Sequence, residues 1–403
     1  MGRRLSRSIV GAALLALVAV PPATATEPVM RFAERQLARA DAEVSAGRYP
    51  SHTKPSGRWA VTGPEAWTSG FLPGAMWLAY RHTRDPVWRR RAARRQGALG
   101  GQRLNTRTHD VGFIMLSSYV RAWALTRRPA YRRIALRAAG SLASRFNPRV
   151  GATRSWGRRR TRRFTVIVDN LMNLELLFWA DRHGGRGPWS RIAHRHALTT
   201  LRDHVRPDGS TYHVVDYDGA TGRVIGKRTV QGAFAESTWS RGQAWAINGF
   251  ATAYRYTRDA RLLRAARRVA RWWSAHVPPG GVPPWDFDAP SATPALAGPF
   301  DGVPRPARDS SAASIAASGL LALARLEPDP ASARRFRATA RSTLRTLRSR
   351  RYLARGTRSR SILLHGTANH PGGLTDTGLI YGDYYFLEAL ARLASSSRAR
   401  AAR

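Results

Sequence analysis

Two aspartates raise the first chemical question, because each stands at the edge of an apolar helical run. Asp110 follows His109 and precedes Val111-Gly112-Phe113, while Asp169 separates Val166-Ile167-Val168 from Asn170-Leu171-Met172. Such positions have an ordinary use, since Asp is a favoured N-cap and its charge suits a helix N-terminus. The chemical alternative is that the two carboxylates come from neighbouring helices and meet at one mouth. They would then push their pKa values apart, giving a proton donor beside a charged partner. Local sequence leaves both readings open.

A denser candidate runs from Gln231 to Trp245 and includes Trp239, Arg241 and Gln243. Aromatic rings pack on the C–H faces of sugars, and Arg and Gln donate to hydroxyls or to a carboxylate. Ordinary core packing around a helix-terminal arginine accounts for the same residues. Trp67 shares that ambiguity, and His213 is a lone histidine near a predicted hairpin, structural or catalytic. Arg154, Arg158, Arg159, Arg160, Arg162 and Arg163 form a basic run. It reads as a solvated loop or as a patch that draws an anionic substrate to the mouth. No metal or cofactor is expected. The chain has no cysteine, no His-Glu-x-x-His or EF-hand pattern, no phosphate-binding glycine loop and no Gly-x-Ser-x-Gly elbow.

The elements that must position these residues recur along the chain. Each unit opens on small or polar residues, enters an apolar helix, turns, and continues into an arginine-rich helix. The units begin at Trp67, His109, Val168, Ser240, Asp309 and Gly382, and turns such as Thr83-Arg84-Asp85-Pro86 and Thr257-Arg258-Asp259 separate their helices. Leu171 to Phe178 is apolar on most faces and must be buried. In Leu262 to Ala270 the arginines fall on one side, as in an outer layer facing water. Repeated hairpins of this kind stack around a continuous core. Six can close into a ring, so the expected fold is all-α, an (α/α)6 barrel over residues 26–394. Ser210 to Asp216 alternates and precedes Asp218-Gly219, which predicts a small β-hairpin inserted before the fourth unit. Pro278 to Pro306 reads as a loop over one mouth, and residues 395–403 as a basic, disordered tail.

Residues 1–25 read as a signal peptide, which predicts export. Arg3, Arg4 and Arg7 precede an apolar run from Ile9 to Val20, and Ala23-Thr24-Ala25 offers a cleavage site. That run is shorter than the ~20 apolar residues of a membrane span. The formal charge is +42, nearly all of it arginine, with Lys54 and Lys227 as the lysines. Such a field attracts nucleic acid, acidic glycans and anionic membranes alike.

In family order, several segments resemble the unsaturated glucuronyl hydrolases of glycoside hydrolase family 88. They are WTSGFLPGAMWLAY (from Trp67), HDVGF (from His109), RSWG (from Arg154), VIVDNLMNLELLFWA (from Val166), the Gln231–Trp245 block, PPWDFDAP (from Pro283), DSSAA (from Asp309) and YGDYYFLEAL (from Tyr381). The resemblance implies an (α/α)6 barrel that hydrates the 4,5-double bond of a terminal unsaturated uronic acid. It assigns Asp169 as general acid/base and Asp110 as the second essential aspartate. Trp67, Trp239 and Trp245 would wall the sugar subsite, and His213, Gln231 and Arg241 would supply its hydrogen bonds. The partner implied is an unsaturated acidic oligosaccharide, with no specific nucleic acid and no membrane span. The segment His365–Gly373 departs from the family pattern, which places carboxylate-binding serines there; Thr367, Asn369 and His370 stand in their place. Alternatives are the related unsaturated rhamnogalacturonyl hydrolases, or a noncatalytic toroid that binds polyanions.

Overall fold

Helices apolar on every side have to find cover on every side, and here they do so by lining a ring. The computed structural model describes residues 27–157, 161–289 and 307–401, with side chains as far as residue 395. The expected leader, Arg158 to Arg160 and most of the Pro278–Pro306 loop lie outside the described residues. The chain opens with α1 (Glu27–Glu43). Hairpins follow as α2 (Phe71–Thr83) with α3 (Pro86–Gln96), and α4 (Val111–Met115) and α5 (Arg121–Thr126) with α6 (Pro129–Ala143). Next come α7 (Asn170–Arg182) with α8 (Trp189–Asp203), α9 (Ser240–Thr257) with α10 (Ala260–His276), and α11 (Ser310–Leu326) with α12 (Pro330–Leu347). The last described helix is α13 (Ile380–Ala401).

The inner ring closes in the order α2, α4–α5, α7, α9, α11, α13 and back to α2. A π-helical turn over Leu116–Val120 joins α4 to α5. There Ser117 and Ser118 donate to the carbonyls of Phe113 (2.7 Å) and Ile114 (2.5 Å), back-bonding of the kind that bends helices. Close helix approach depends on missing side chains: a Cβ on Gly319 of α11 would lie 2.9 Å from the Asn248 backbone of α9.

The recurring Thr-Arg-Asp turn has a physical reading. Thr83 Oγ1 donates to the Ala79 carbonyl (3.0 Å) and accepts from the Asp85 N–H (3.1 Å). Arg84 turns the chain in the left-handed region, φ 62°, and Asp85 caps α3 by accepting from Val87 N–H (2.8 Å). Thr257, Arg258 (φ 58°) and Asp259 repeat the device between α9 and α10.

Three findings extend or correct the sequence reading. The outer layer is completed by α1, which packs on α2 and is tied to α3 through Asp41, held by Arg94 (2.7 Å) and by the buried Arg95 (2.6 Å). No repeat motif marks α1, because its neighbours come from other parts of the chain. The expected hairpin is present as the last two strands of one of three small sheets among the described residues. β1 (Tyr49–Thr53) pairs with β2 (Trp59–Thr62), and β3 (Phe146–Asn147) with β4 (Ala152–Thr153). β5 (Arg163–Ile167), β6 (Val214–Asp218) and β7 (Val224–Arg228) form an antiparallel sheet in that order. Finally, α13 runs through Ala401, so the segment from Ser395 expected to be disordered is helical as far as it is described; its alanines and arginines are good helix formers. No helix among the described residues is long and apolar enough to cross a membrane.

Candidate active site

Both aspartates sit at inner-helix N-termini on the same mouth, and neither is a cap. Asp110 and Asp169 have helical backbone angles (φ −63° and −57°) and accept no capping hydrogen bond. Asp85, Asp259, Asp309 and Asp329, by contrast, all cap their helices through side-chain oxygens. The capping reading therefore fails for the two residues that mattered.

Ser155, inside the Arg154–Gly157 motif, ties their segments together. Its carbonyl accepts from His109 N–H (3.2 Å), its N–H donates to Thr165 O (2.9 Å), and its hydroxyl donates to Asn170 Oδ1 (2.6 Å) while accepting from Ile167 N–H (2.8 Å). The β5–β6–β7 sheet then delivers His213. Ile167 lies opposite Val214, so Val168 N–H donates to His213 O (3.0 Å) and the histidine stands beside Asp169. His213 Nδ1 faces Thr229 Oγ1 (3.1 Å) and accepts from Val230 N–H (3.3 Å), which puts the ring proton on Nε2, 3.9 Å from Asp169 Oδ2. Burial keeps His213 neutral by pushing its pKa far below the usual histidine value.

Burial also dominates at Asp169, whose side chain is 14 % exposed. It raises the pKa to about 7; Arg241 opposes the shift and the like charge of Asp110 adds to it. The Trp245 indole also favours the carboxylate, although its N–H meets no strict hydrogen-bond geometry. Asp110 is oriented by Thr108, whose hydroxyl donates to Oδ2 (2.6 Å). Asp169 Oδ2, His213 Nε2, His109 Nε2 and Trp245 Nε1 are all buried without a hydrogen-bond partner in the protein. Buried polar atoms are normally satisfied, so orphans converging on a carboxyl mark a place for a ligand.

The aromatic residues divide by role. Trp67 is half-buried against Tyr381 (centroids 4.6 Å apart), Phe71 and Phe113, which leaves it able to offer a ring face. Trp245 is fully buried between Phe113 and Tyr385 and forms the wall behind Asp169. Trp239 is covered by the stacked His213 ring (4.3 Å) and by the Arg241 guanidinium (4.4 Å). Arg241 is buried and donates to Asp309 (2.9 Å) and to the carbonyls of Thr367 and Ala368 (both 2.6 Å); Gln231 donates to the same Ala368 carbonyl (2.7 Å). These contacts make Arg241 and Gln231 the supports of the 366–369 segment. Within it, the Thr367 hydroxyl donates to Arg308 O (2.9 Å) and Asn369 accepts from Gly372 N–H (3.3 Å), and just after it His370 packs on Trp285 (4.3 Å).

Where it is described, the basic run divides between one structural arginine and two that face solvent, Arg162 and Arg163. Arg154 is buried and donates to Thr161 and Arg163, while Arg162 pairs with Asp218 (2.8 Å). Sequence reasoning assigned no role to Trp156, which stands 36 % exposed beside His109, or to Tyr381 under Trp67. Both lie inside motifs already noted, but their partners are remote in sequence. A second cavity, of about 700 Å³, opens among the C-terminal ends of the inner helices. Phe71 and Phe113 line it and also touch Trp67 in the cup. There Arg121 and Arg392 pair with Glu388, and Arg255 with Glu175.

No family model matches the sequence. The chain is similar to an unsaturated glucuronyl hydrolase of Formosa agariphila, 38% identical over 334 residues that cover 81% of this chain and 79% of that protein. It is also similar to an unsaturated glucuronyl hydrolase of Bacillus sp. strain GL1, 36% identical and covering 86% and 91% of the two chains. Among solved structures, an unsaturated glucuronyl hydrolase specific for heparin superposes with a TM-score of 0.85 at 36% identity, covering 92% of this chain and 97% of that one.

Proposed function

The chain belongs to the unsaturated glucuronyl hydrolases of glycoside hydrolase family 88, and on that premise we propose that Asp169 and Asp110 carry the hydration of its substrate. The enzyme is a glycoside hydrolase that removes a terminal 4,5-unsaturated uronic acid from acidic oligosaccharides; the rhamnogalacturonyl alternative is not favoured. A carboxyl with a pKa near 7 keeps enough proton at neutral pH to act as an acid, and its conjugate base can then accept one. Asp169 gives its proton to C4 of the enol ether. Water adds its oxygen to C5 and returns a proton to the Asp169 carboxylate. The C5 hemiketal opens to a ketone, and C1, left as a hemiacetal of the next sugar, releases it. Asp110 keeps a negative charge next to this centre, and Trp67 supplies the platform for the ring. The gathering of partnerless buried polar atoms at Asp169 carries the reading. The test is a panel of lyase-generated unsaturated disaccharides followed by loss of the enol-carboxylate ultraviolet absorbance. No loss on any member rejects the proposal.

Asp110→Asn is expected to lower turnover by about 100-fold, within the range for an acid–base partner. It also removes a like charge from Asp169, so the Asp169 pKa falls. The alkaline limb of the rate profile, where Asp169 loses its proton, then moves to lower pH. An unmoved limb with full activity counts against Asp110.

Export is also proposed, on the strength of the charged, apolar and small-residue pattern of residues 3–25. N-terminal sequencing of protein from the producing cells should begin at Thr26. Met1 retained on the accumulated protein would contradict export by this leader.

A further inference from the structure

Beneath the two aspartates lies a second pair that the reaction as described leaves unused. His109 precedes Asp110, and Asn173 stands one helical turn below Asp169 on α7. Both are buried, at 1% exposure. Asn173 Nδ2 lies 2.8 Å from His109 Nδ1, across 64 residues of sequence. His109 Nε2 lies 3.3 Å from Asp110 Oδ1 and has no hydrogen-bond partner in the protein. We infer that His109 and Asn173 form a buried positioning pair that keeps the Asp110 carboxylate aimed into the cup.

The protonation pattern follows from the contacts. When the Asn173 amide nitrogen donates to Nδ1, the proton of a neutral His109 sits on Nε2, the ring nitrogen that lies 3.3 Å from Asp110 Oδ1. Turning the amide over would put the proton on Nδ1 and set the Nε2 lone pair 3.3 Å from a carboxylate oxygen, which is repulsive. Charged and polar groups face His109 from several elements: Asp110 from its own segment, Arg145 just after α6, Asn173 from α7, His196 from α8, and the edge of Trp156. Burial and Arg145 outweigh Asp110 and keep the ring neutral. A neutral donor of fixed tautomer orients a carboxylate without cancelling its charge.

The chain is cut to admit this pair. A Cβ on Gly112 would stand 2.4 Å from Asn173 Oδ1 and 2.5 Å from Asn173 Cβ, so only glycine lets α7 bring Asn173 under the His109–Asp110 segment. The glycine of the HDVGF motif and the asparagine four residues after Asp169 thus have one purpose.

The inference rests on the role of Asp110 in the reaction, and the test separates the two. Gln places an amide donor near the position of His Nε2, whereas Asn reaches only as far as Nδ1. His109→Gln is expected to keep turnover within about fivefold of the natural enzyme, and His109→Asn to lose about 100-fold, the scale seen when an orienting partner is removed. Asn173→Leu, which frees the tautomer, should fall between them. The alkaline limb of the rate profile should move to lower pH in His109→Asn and stay in place in His109→Gln, with the two variants melting at similar temperatures. Equal losses in the two variants, or equal activity, overturn the inference and leave His109 a packing residue. Asp110→Asn is assayed alongside, and full activity in that variant overturns both the role of Asp110 and this inference.

Discussion

Asp169→Asn is expected to lower turnover by at least about a thousandfold, because the same group serves as acid and then as base, and to leave the fold intact. The second half of that expectation is quantitative. Burial raises the folded carboxyl to about 7, against 3.8 for an ordinary aspartate. Between those values the folded protein holds a proton that the unfolded chain has lost, so stability falls as pH rises through this window. Below about 3.8 and above about 7 the contribution is flat, since both states are then protonated or both ionised. With 1.36 kcal/mol per pKa unit, the upper bound on the cost at pH 8 is about 4 kcal/mol. Asparagine cannot ionise and escapes that cost. Melting temperatures measured from pH 4 to 8 should therefore show the variant gaining on the natural protein as pH rises, reaching equal or higher stability at pH 8. Asp383, buried and also shifted up, to about 8, is common to both proteins and cancels in the comparison. Either a near-normal rate or a variant that loses ground with rising pH would remove Asp169 from its assigned place.

The sequence separated the layers of the fold but not the roles of individual acids, for reasons visible in particular residues. Inner helices were readable because Leu171 to Phe178 has no polar face. Outer ones were readable because arginines fall along one side of α10, whose Leu262, Ala266, Val269 and Trp273 are buried. Helix α1 escaped because its partners in α2 and α3 lie beyond the β1–β2 hairpin, and no local repeat announces it. β5 escaped because only Asp169 and Asn170 stand between Phe164–Val168 and an apolar helical run, where a short strand and a buried helix look alike. For Asp110 and Asp169, an acid before a helix describes Asp85 and Asp259 equally well. What divides them is backbone: the caps are extended (ψ 121° and 118°), whereas Asp110 and Asp169 are already helical and their side chains are free for other work. Arg241 shows the converse. Its type suited substrate recognition, but the acceptors that occupy it, Asp309 and the Thr367 and Ala368 carbonyls, lie more than sixty residues away.

That occupancy makes Arg241→Met the largest expected loss of stability. Arg241 and Asp309 are both buried, at 1% and 0% exposure of their side chains. Breaking a buried ion pair by removing one member leaves an uncompensated charge and costs about 3–5 kcal/mol. Asp309 cannot turn to solvent for relief, because Oδ1 already accepts from the N–H of Ser311 (2.9 Å) and from its hydroxyl (2.5 Å) at the start of α11. The companion change Asp309→Asn removes that charge and keeps an oxygen for the cap, so the double variant should recover part of the loss. Urea unfolding of the two single variants and the double variant closes the cycle, and a coupling energy of about 1 kcal/mol or more is expected for groups in direct contact. Additive losses, or a single-variant loss below about 1 kcal/mol, would show that the pair is not what holds this corner. In the variant that folds, the 366–369 segment has lost two of its three side-chain donors and keeps only Gln231. KM should then rise, and the alkaline limb of the rate profile should move to higher pH, because the Arg241 charge that opposes the Asp169 shift is gone.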